Sequence, residues 1–330
     1  MKKSLLALAV LGAFAGAASA QSSVTIYGLL DLAITKGNGG SAPNPGANGL
    51  SEAWIMKQSS SSRLGFRGNE DLGGGLSAQF QIEHRFTPDD GAAANPFWAG
   101  RSYIQLTSRA AGSVYMGREY DPAFWPAVKS DPFGWDGVGQ ISTLQYAGYA
   151  DTCSGSSVRT SNTLGYKSPN MGGLTAQAAV SLGEGAAGCG RQIGGNVEYA
   201  GGPLYVAGGF AKTSQGATDG NSLFNLAAHY DLGMVKLIGY FARGKTNNGD
   251  DSNKFVQFAL TSPIGGGKLK AAFGRLDPEG DDNNVTKISV GYDYPLSKRT
   301  NVYADFGRAK SQVDGTDSNT AYAFGLKHVF

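Results

Sequence analysis

The sequence predicts an all-β protein: a 16-stranded antiparallel transmembrane β-barrel with a long third external loop folded inward. Three observations carry this. Segments of about ten residues alternate apolar and polar side chains with period two, the length and pattern of a tilted strand crossing a bilayer. The connections between them alternate between short and long. After residue 20 no stretch reaches the roughly eighteen apolar residues that a membrane-spanning helix needs. Glycine points the same way, because 50 of 330 residues is about twice average use and each glycine inside a helix costs about 1 kcal/mol relative to alanine.

At the N-terminus, Lys2 and Lys3, the apolar run Leu5 to Phe14 and the small residues Ala18-Ser19-Ala20 read as a cleaved signal peptide over residues 1–20. Residues 21–330 then form a single barrel domain. Two of the 28 Lys and Arg lie in the signal peptide, which leaves 26 against 26 Asp and Glu. A neutral mature chain has no electrostatic basis for binding nucleic acid.

The first strand places Val24, Ile26, Gly28, Leu30, Leu32 and Ile34 on one face and Thr25, Tyr27, Asp31 and Thr35 on the other, with Leu29 and Ala33 as apolar exceptions. The alternation is clearest from Leu76 to Phe86. Leu76, Ala78, Phe80, Ile82, His84 and Phe86 share one face there, against Ser77, Gln79, Gln81, Glu83 and Arg85. Later, Ile288, Val290, Tyr292 and Tyr294 oppose Lys287, Ser289 and Asp293. The last strand aligns Tyr322, Phe324, Leu326, His328 and Phe330, with aromatics at both ends as at the two interfaces of a membrane.

Short connections rich in turn formers fall at Asn69–Gly75, Ser108–Gly112, Ser168–Gly173, Gly201–Pro203, Asp231–Gly233, Pro263–Gly267 and Pro295–Lys298. Longer polar ones fall at Gly37–Ala53, Thr87–Pro96, Glu119–Ser157, Gly183–Gln192, Thr213–Asn221, Asn247–Asp251, Asp277–Asn284 and Ser311–Asp317. The segments between them number sixteen. Length agrees, since two crossings with one turn and one loop take roughly 38 residues, although fourteen or eighteen strands would also fit. A barrel of this size encloses an aqueous channel.

Glu119–Ser157 is far longer than the other connections and carries Trp125, Phe133, Trp135 and Tyr146. Folded inward, those aromatics would pack on the inner wall and narrow the pore; otherwise the segment is an exposed antigenic loop. Cys153 and Cys189 both fall on the external side, where export through an oxidising compartment permits a disulfide, with two free thiols as the alternative. Thiol labelling of both cysteines in the unreduced, unfolded protein would rule the bond out.

Catalytic chemistry lacks its parts. By parity His84 and His328 face outward and His229 faces the lumen alone, and no Gly-x-Ser-x-Gly follows a strand. The acidic pairs Asp250-Asp251 and Asp281-Asp282 lack calcium-loop spacing. No enzyme activity, no cofactor and no metal site is expected.

The mature chain resembles the trimeric general porins of beta-proteobacteria along essentially its whole length. The matching motifs are Ser23-Val24-Thr25-Ile26-Tyr27-Gly28, Ser62-Arg63-Leu64-Gly65-Phe66-Arg67-Gly68 with Glu70-Asp71-Leu72-Gly73, and Gly117-Arg118-Glu119-Tyr120-Asp121-Pro122, followed by Leu296-Ser297-Lys298-Arg299-Thr300 and His328-Val329-Phe330. The resemblance implies a constriction at which the third external loop faces a ladder of wall arginines, here Arg63, Arg101 and Arg159 with Glu83, and with Asp131 in the loop. Parity independently turns Arg63, Glu83 and Arg159 inward, and Asp131 rests on the resemblance alone. Where the family pattern has arginine this chain has Gly100, so Arg101 reaches the pore only if a bulge or the strand end realigns it.

The expected function is passive diffusion of small hydrophilic solutes and ions through an outer-membrane channel of a Gram-negative bacterium. An outer-membrane surface adhesin with an incidental pore is the alternative. Anions should be preferred, because wall arginines beside only Glu83 and Asp131 leave a positive surplus at the narrowest point. The resemblance also implies a homotrimer in contact with outer-membrane lipid and lipopolysaccharide. It further implies Tyr322, Phe324, Leu326 and Phe330 as the signal read by the outer-membrane assembly machinery.

Overall fold

The computed structural model describes residues 23–37, 51–149, 158–184, 190–214, 219–246, 251–279, 284–312 and 318–330. The expected signal peptide, Cys153 and Cys189 lie outside the described residues, as do Asp151, Asp250, Asp281 and Asp282.

The chain begins with β1 (Ser23–Gly37), β2 (Ser51–Lys57), β3 (Arg63–Gly73), β4 (Leu76–Arg85), β5 (Ser102–Ser108) and β6 (Gly112–Tyr120). Two short helices follow within the long connection, α1 (Phe124–Ser130) and α2 (Ser142–Gln145). Then come β7 (Arg159–Lys167), β8 (Leu174–Ser181), β9 (Arg191–Gly201), β10 (Leu204–Ser214), β11 (Ser222–Asp231) and β12 (Lys236–Thr246). The chain ends with β13 (Asp251–Ile264), β14 (Gly267–Pro278), β15 (Val285–Pro295), β16 (Thr300–Ser311) and β17 (Asn319–Val329).

Consecutive strands pair antiparallel from β3 to β17, and β1 closes the ring on β17 from Leu29↔Val329 to Lys36↔Tyr322. Along its other edge β1 pairs with β3 from Ser23 to Leu29 and with β2 from Ala33 to Gly37. Strands β2 and β3 are therefore two halves of one crossing, and the seventeen segments form sixteen crossings. Closure satisfies the backbone donors and acceptors that a bilayer could not solvate. At the seam Gly28 and Phe330 exchange both backbone hydrogen bonds, at 3.0 and 3.1 Å.

The break between β2 and β3 follows from its composition, since Ser59 to Ser62 are four consecutive serines whose side chains compete with the ladder. Asp31 of β1 takes over the lost pairing. Its Oδ1 accepts the Ser59 N–H at 2.9 Å and the Tyr303 hydroxyl at 2.7 Å, and its own N–H donates to Ser62 Oγ at 3.1 Å.

Alternation sorts the two faces as expected. In β11, Phe224, Leu226 and Tyr230 are exposed outward while Leu223, Asn225, Ala227 and His229 are buried inward. All the short connections sit at one end of the barrel; in one two-residue turn, Gly265 and Gly266 have φ of +60° and +81°, the two positive angles of a type I′ hairpin. The long connection begins two residues later than expected, because Glu119 and Tyr120 still pair with β7.

Candidate functional site

The long connection lies against the inner wall, hung by polar contacts from successive strands. Asp121 holds its start, accepting from the Ala123 N–H at 2.9 Å and from Gln192 Nε2 of β9 at 2.6 Å. The Ala123 carbonyl accepts from Asn225 of β11 at 2.8 Å, and Ser130 Oγ meets Nε2 of His229 at 2.9 Å. Farther on, Gln145 bonds Gln257 of β13 at 2.8 Å, and the Tyr240 hydroxyl donates to the Gln145 carbonyl at 3.0 Å. The Gly137 N–H reaches the Ser59 carbonyl in the break between β2 and β3 at 3.2 Å. Between these tethers Phe124, Phe133, Ile141, Tyr146 and Tyr149 are buried.

The free edge of this segment faces β3, β4, β6 and β7 across a cavity of about 390 Å³. Arg63, Arg85, Arg101 and Arg159 line it with Glu83 and Asp136, and Tyr120, Trp125 and Trp135 form its aromatic side. Arg85 Nε donates to Glu83 Oε1 at 2.9 Å, and Tyr27 OH donates to Glu83 Oε2 at 3.1 Å. Arg101 forms a two-pronged pair with Glu119, one prong at 2.8 Å, and Lys167 shares that carboxylate at 3.3 Å. Arg159 donates to the Tyr120 hydroxyl and lies 4.4 Å from the centre of its ring. Across the gap, burial pushes the Asp136 carboxyl up, while the nearby Arg63 favours its charged form.

Of the expected constriction residues, the fold brings Arg63, Glu83, Arg101 and Arg159 together around this cavity. Arg101 reaches it because it stands just outside β5, free of the strand's parity. Gly100 leaves no room for a side chain, as a Cβ there would stand 2.8 Å from the Glu83 carbonyl oxygen.

Asp131 does not face the cavity. It is buried inside the loop, accepting the N–H groups of Phe133, Trp135 and Ile141 at 3.0, 3.2 and 3.0 Å. Burial pushes its carboxyl up to about 6, against those three donors and the charge of Lys287 on β15. Lys287 also donates to the Gln140 carbonyl. Asp131 thus organises the loop and does not meet the solute path.

Arg85 was not among the expected site residues, whereas Trp125 and Trp135 were expected to narrow the pore and Asp136 to oppose the wall arginines from the loop. Parity could have found Arg85, two residues from Glu83 on the same polar face. No sequence period marks Asp136 or Trp135, whose positions depend on how the loop folds. His229, expected to face the lumen alone, instead meets Ser130 and lies 4.5 Å from the ring of Tyr205.

A model of Gram-negative porins matches residues 7–314. The outer membrane porin protein 32 of Delftia acidovorans is 33% identical across the whole of both chains. An outer membrane porin protein of Bordetella pertussis is 31% identical, again over both full lengths. Among solved structures, an anion-selective porin from Comamonas acidovorans superposes with a TM-score of 0.80 at 28% identity, covering 94% of this chain and 100% of that one. OmpT of Vibrio cholerae, solved in a trimer form, shares the fold at a TM-score of 0.70 and 15% identity, with 94% of this chain and 99% of that one covered.

Proposed function

The chain belongs to the Gram-negative porin family, and from that premise we propose that this outer-membrane channel favours anions among the small hydrophilic solutes it passes. The observation that carries the reading is the composition of the constriction: four arginines against Glu83 and Asp136 around one cavity. With Glu119 neutralising Arg101, the tally remains net positive. In a narrow water-filled section with protein walls, a fixed positive surplus raises the local concentration of anions and lowers that of cations. The similar Comamonas protein is described as anion-selective, which supports the same sign here. Bilayer recordings across a salt gradient test it: the zero-current potential should lie on the anion side. A potential on the cation side would refute the selectivity while leaving the channel intact.

The barrel assembles as a homotrimer in this reading, supported by the family membership and by the apolar outer wall. Unheated detergent samples should migrate at the trimer position and collapse on boiling; sedimentation as a monomer in mild detergent would contradict this. Phe330, with Tyr322, Phe324 and Leu326, serves as the signal for the assembly machinery. Its ring also packs on Gly28 at the closing seam, so seam and signal must be separated by experiment. Deleting Phe330 should reduce insertion in cells more than refolding into detergent, and equal losses would leave only the seam. Residues 1–20 act as the export signal, and Cys153 and Cys189 form a disulfide.

A further inference from the structure

The constriction has two sides of different chemistry. On the strand side Arg63, Arg85 and Arg159 stand on β3, β4 and β7, and Arg101 just before β5. On the loop side stand Trp125 and Val128 of α1, with Trp135 beyond it. These three are only partly buried by the apolar packing of the loop, and the surface they leave open lines the cavity. A chloride ion interacts with the first side alone. The second side contributes to passage only when a solute carries apolar surface of its own, because the gain there follows the apolar area removed from water.

Where the two sides meet, the geometry suits a flat ring. Tyr120 stacks on Phe124 with centroids 4.4 Å apart and planes 8° from parallel, and the Arg159 guanidinium lies 4.4 Å from the Tyr120 ring centre. Arg101 stands 5.9 Å from the rings of both Tyr120 and Trp125. Trp135 meets Phe124 edge-on, at 5.0 Å and 86°, and its indole N–H donates to Gln145 Oε1, which fixes the direction of the ring. Guanidinium planes take an aromatic ring on their face, and indoles take one edge-on or offset. A saturated ring of the same size offers neither a π face nor a polarised edge.

We propose that the constriction favours aromatic carboxylates over aliphatic carboxylates of equal charge and size, with the carboxylate on the arginines and the ring against Trp125 and Trp135. The inference rests on the anion-favouring reading of the same cavity and adds the class of anion to it. At about 390 Å³ the cavity falls within the range of sites that hold small organic molecules.

The test uses the full-length protein in planar bilayers bathed in potassium chloride at neutral pH, with benzoate or cyclohexanecarboxylate added at equal concentration. Both are ionised monoanions built on a six-membered ring, and only the first has a π system. Benzoate should interrupt the chloride current at a roughly threefold lower concentration. Trp125→Leu should bring the two anions level. The Trp125 indole N–H makes no hydrogen bond among the described residues, so this exchange strands no partner. The comparison of the two anions on the wild type needs no variant and decides the matter if Trp125→Leu folds poorly. Equal interruption by both anions, stronger interruption by the saturated ring, or a preference that survives in folded Trp125→Leu overturns the proposal. The zero-current potential of the same channels separates the two readings. With a potential on the anion side and equal interruption, only the preference for aromatic solutes falls; with a potential on the cation side, the anion reading itself falls.

Discussion

Replacing Arg63 and Arg159 by serine is expected to move the zero-current potential toward cations and to raise the single-channel conductance. The two arginines sit on β3 and β7 on the same side of the cavity, facing the loop that carries Asp136. Removing them leaves Arg85 and Arg101, each bound to a carboxylate, while Asp136 and Glu83 remain. The balance of the lining then changes sign. A unit charge about 4 Å away in a water-filled site is worth about 1 kcal/mol, so each arginine should raise the local concentration of anions roughly fivefold and lower that of cations by a similar factor. Serine also shortens the side chain and widens the gap. An unchanged potential would mean that charges elsewhere in the lumen govern selectivity.

How much of this site could be read from the sequence follows from the period of a strand. Arg63, Glu83 and Arg159 belong to strands whose outward neighbours are apolar, and alternation alone turns them inward. The sixteen crossings and the alternation of short turns with long connections were legible for the same reason, even though a run of serines splits one crossing in two. A loop has no such period. Asp131, Asp136 and Trp135 lie within six residues of one another, yet the first is buried, the second faces arginine and the third lines the cavity. Those fates are decided by backbone donors and wall contacts distant in sequence. The docking of the segment left a fainter trace in the inward glycines of β12, β14, β15 and β16. Gly244, Gly274, Gly291 and Gly307 each lie against a residue of the loop. As bare glycines within strands they signal close approach of another backbone, but the sequence does not say of which one.

Those contacts lead to the second large effect: Asp131→Ala should release the loop from the wall and produce larger, noisier channels while leaving the barrel intact. The carboxylate gathers three backbone N–H groups, and Lys287 faces it from β15. Its removal strands three donors and a buried ammonium, a loss of about 3–5 kcal/mol, borne by the docking of the loop because the strand ladder is closed without it. Heat resistance on gels should therefore change little. Gly307→Val reaches the same end by another route, as a Cβ there would stand 2.1 Å from the Val138 carbonyl oxygen, a backbone atom that cannot swing aside. Acidity acts in the opposite direction. The docked carboxyl is held up at about 6, so docking favours its protonated form; that advantage is complete below the unfolded value of 3.8 and is lost as pH rises through about 6. Current noise in the wild type should fall as recordings move from about pH 7 to about pH 4, and Asp131→Asn should lose that dependence. If Asp131→Ala gives wild-type conductance and noise while Gly307→Val opens the channel, the wall contacts hold the loop without the carboxylate and Asp131 is not its anchor.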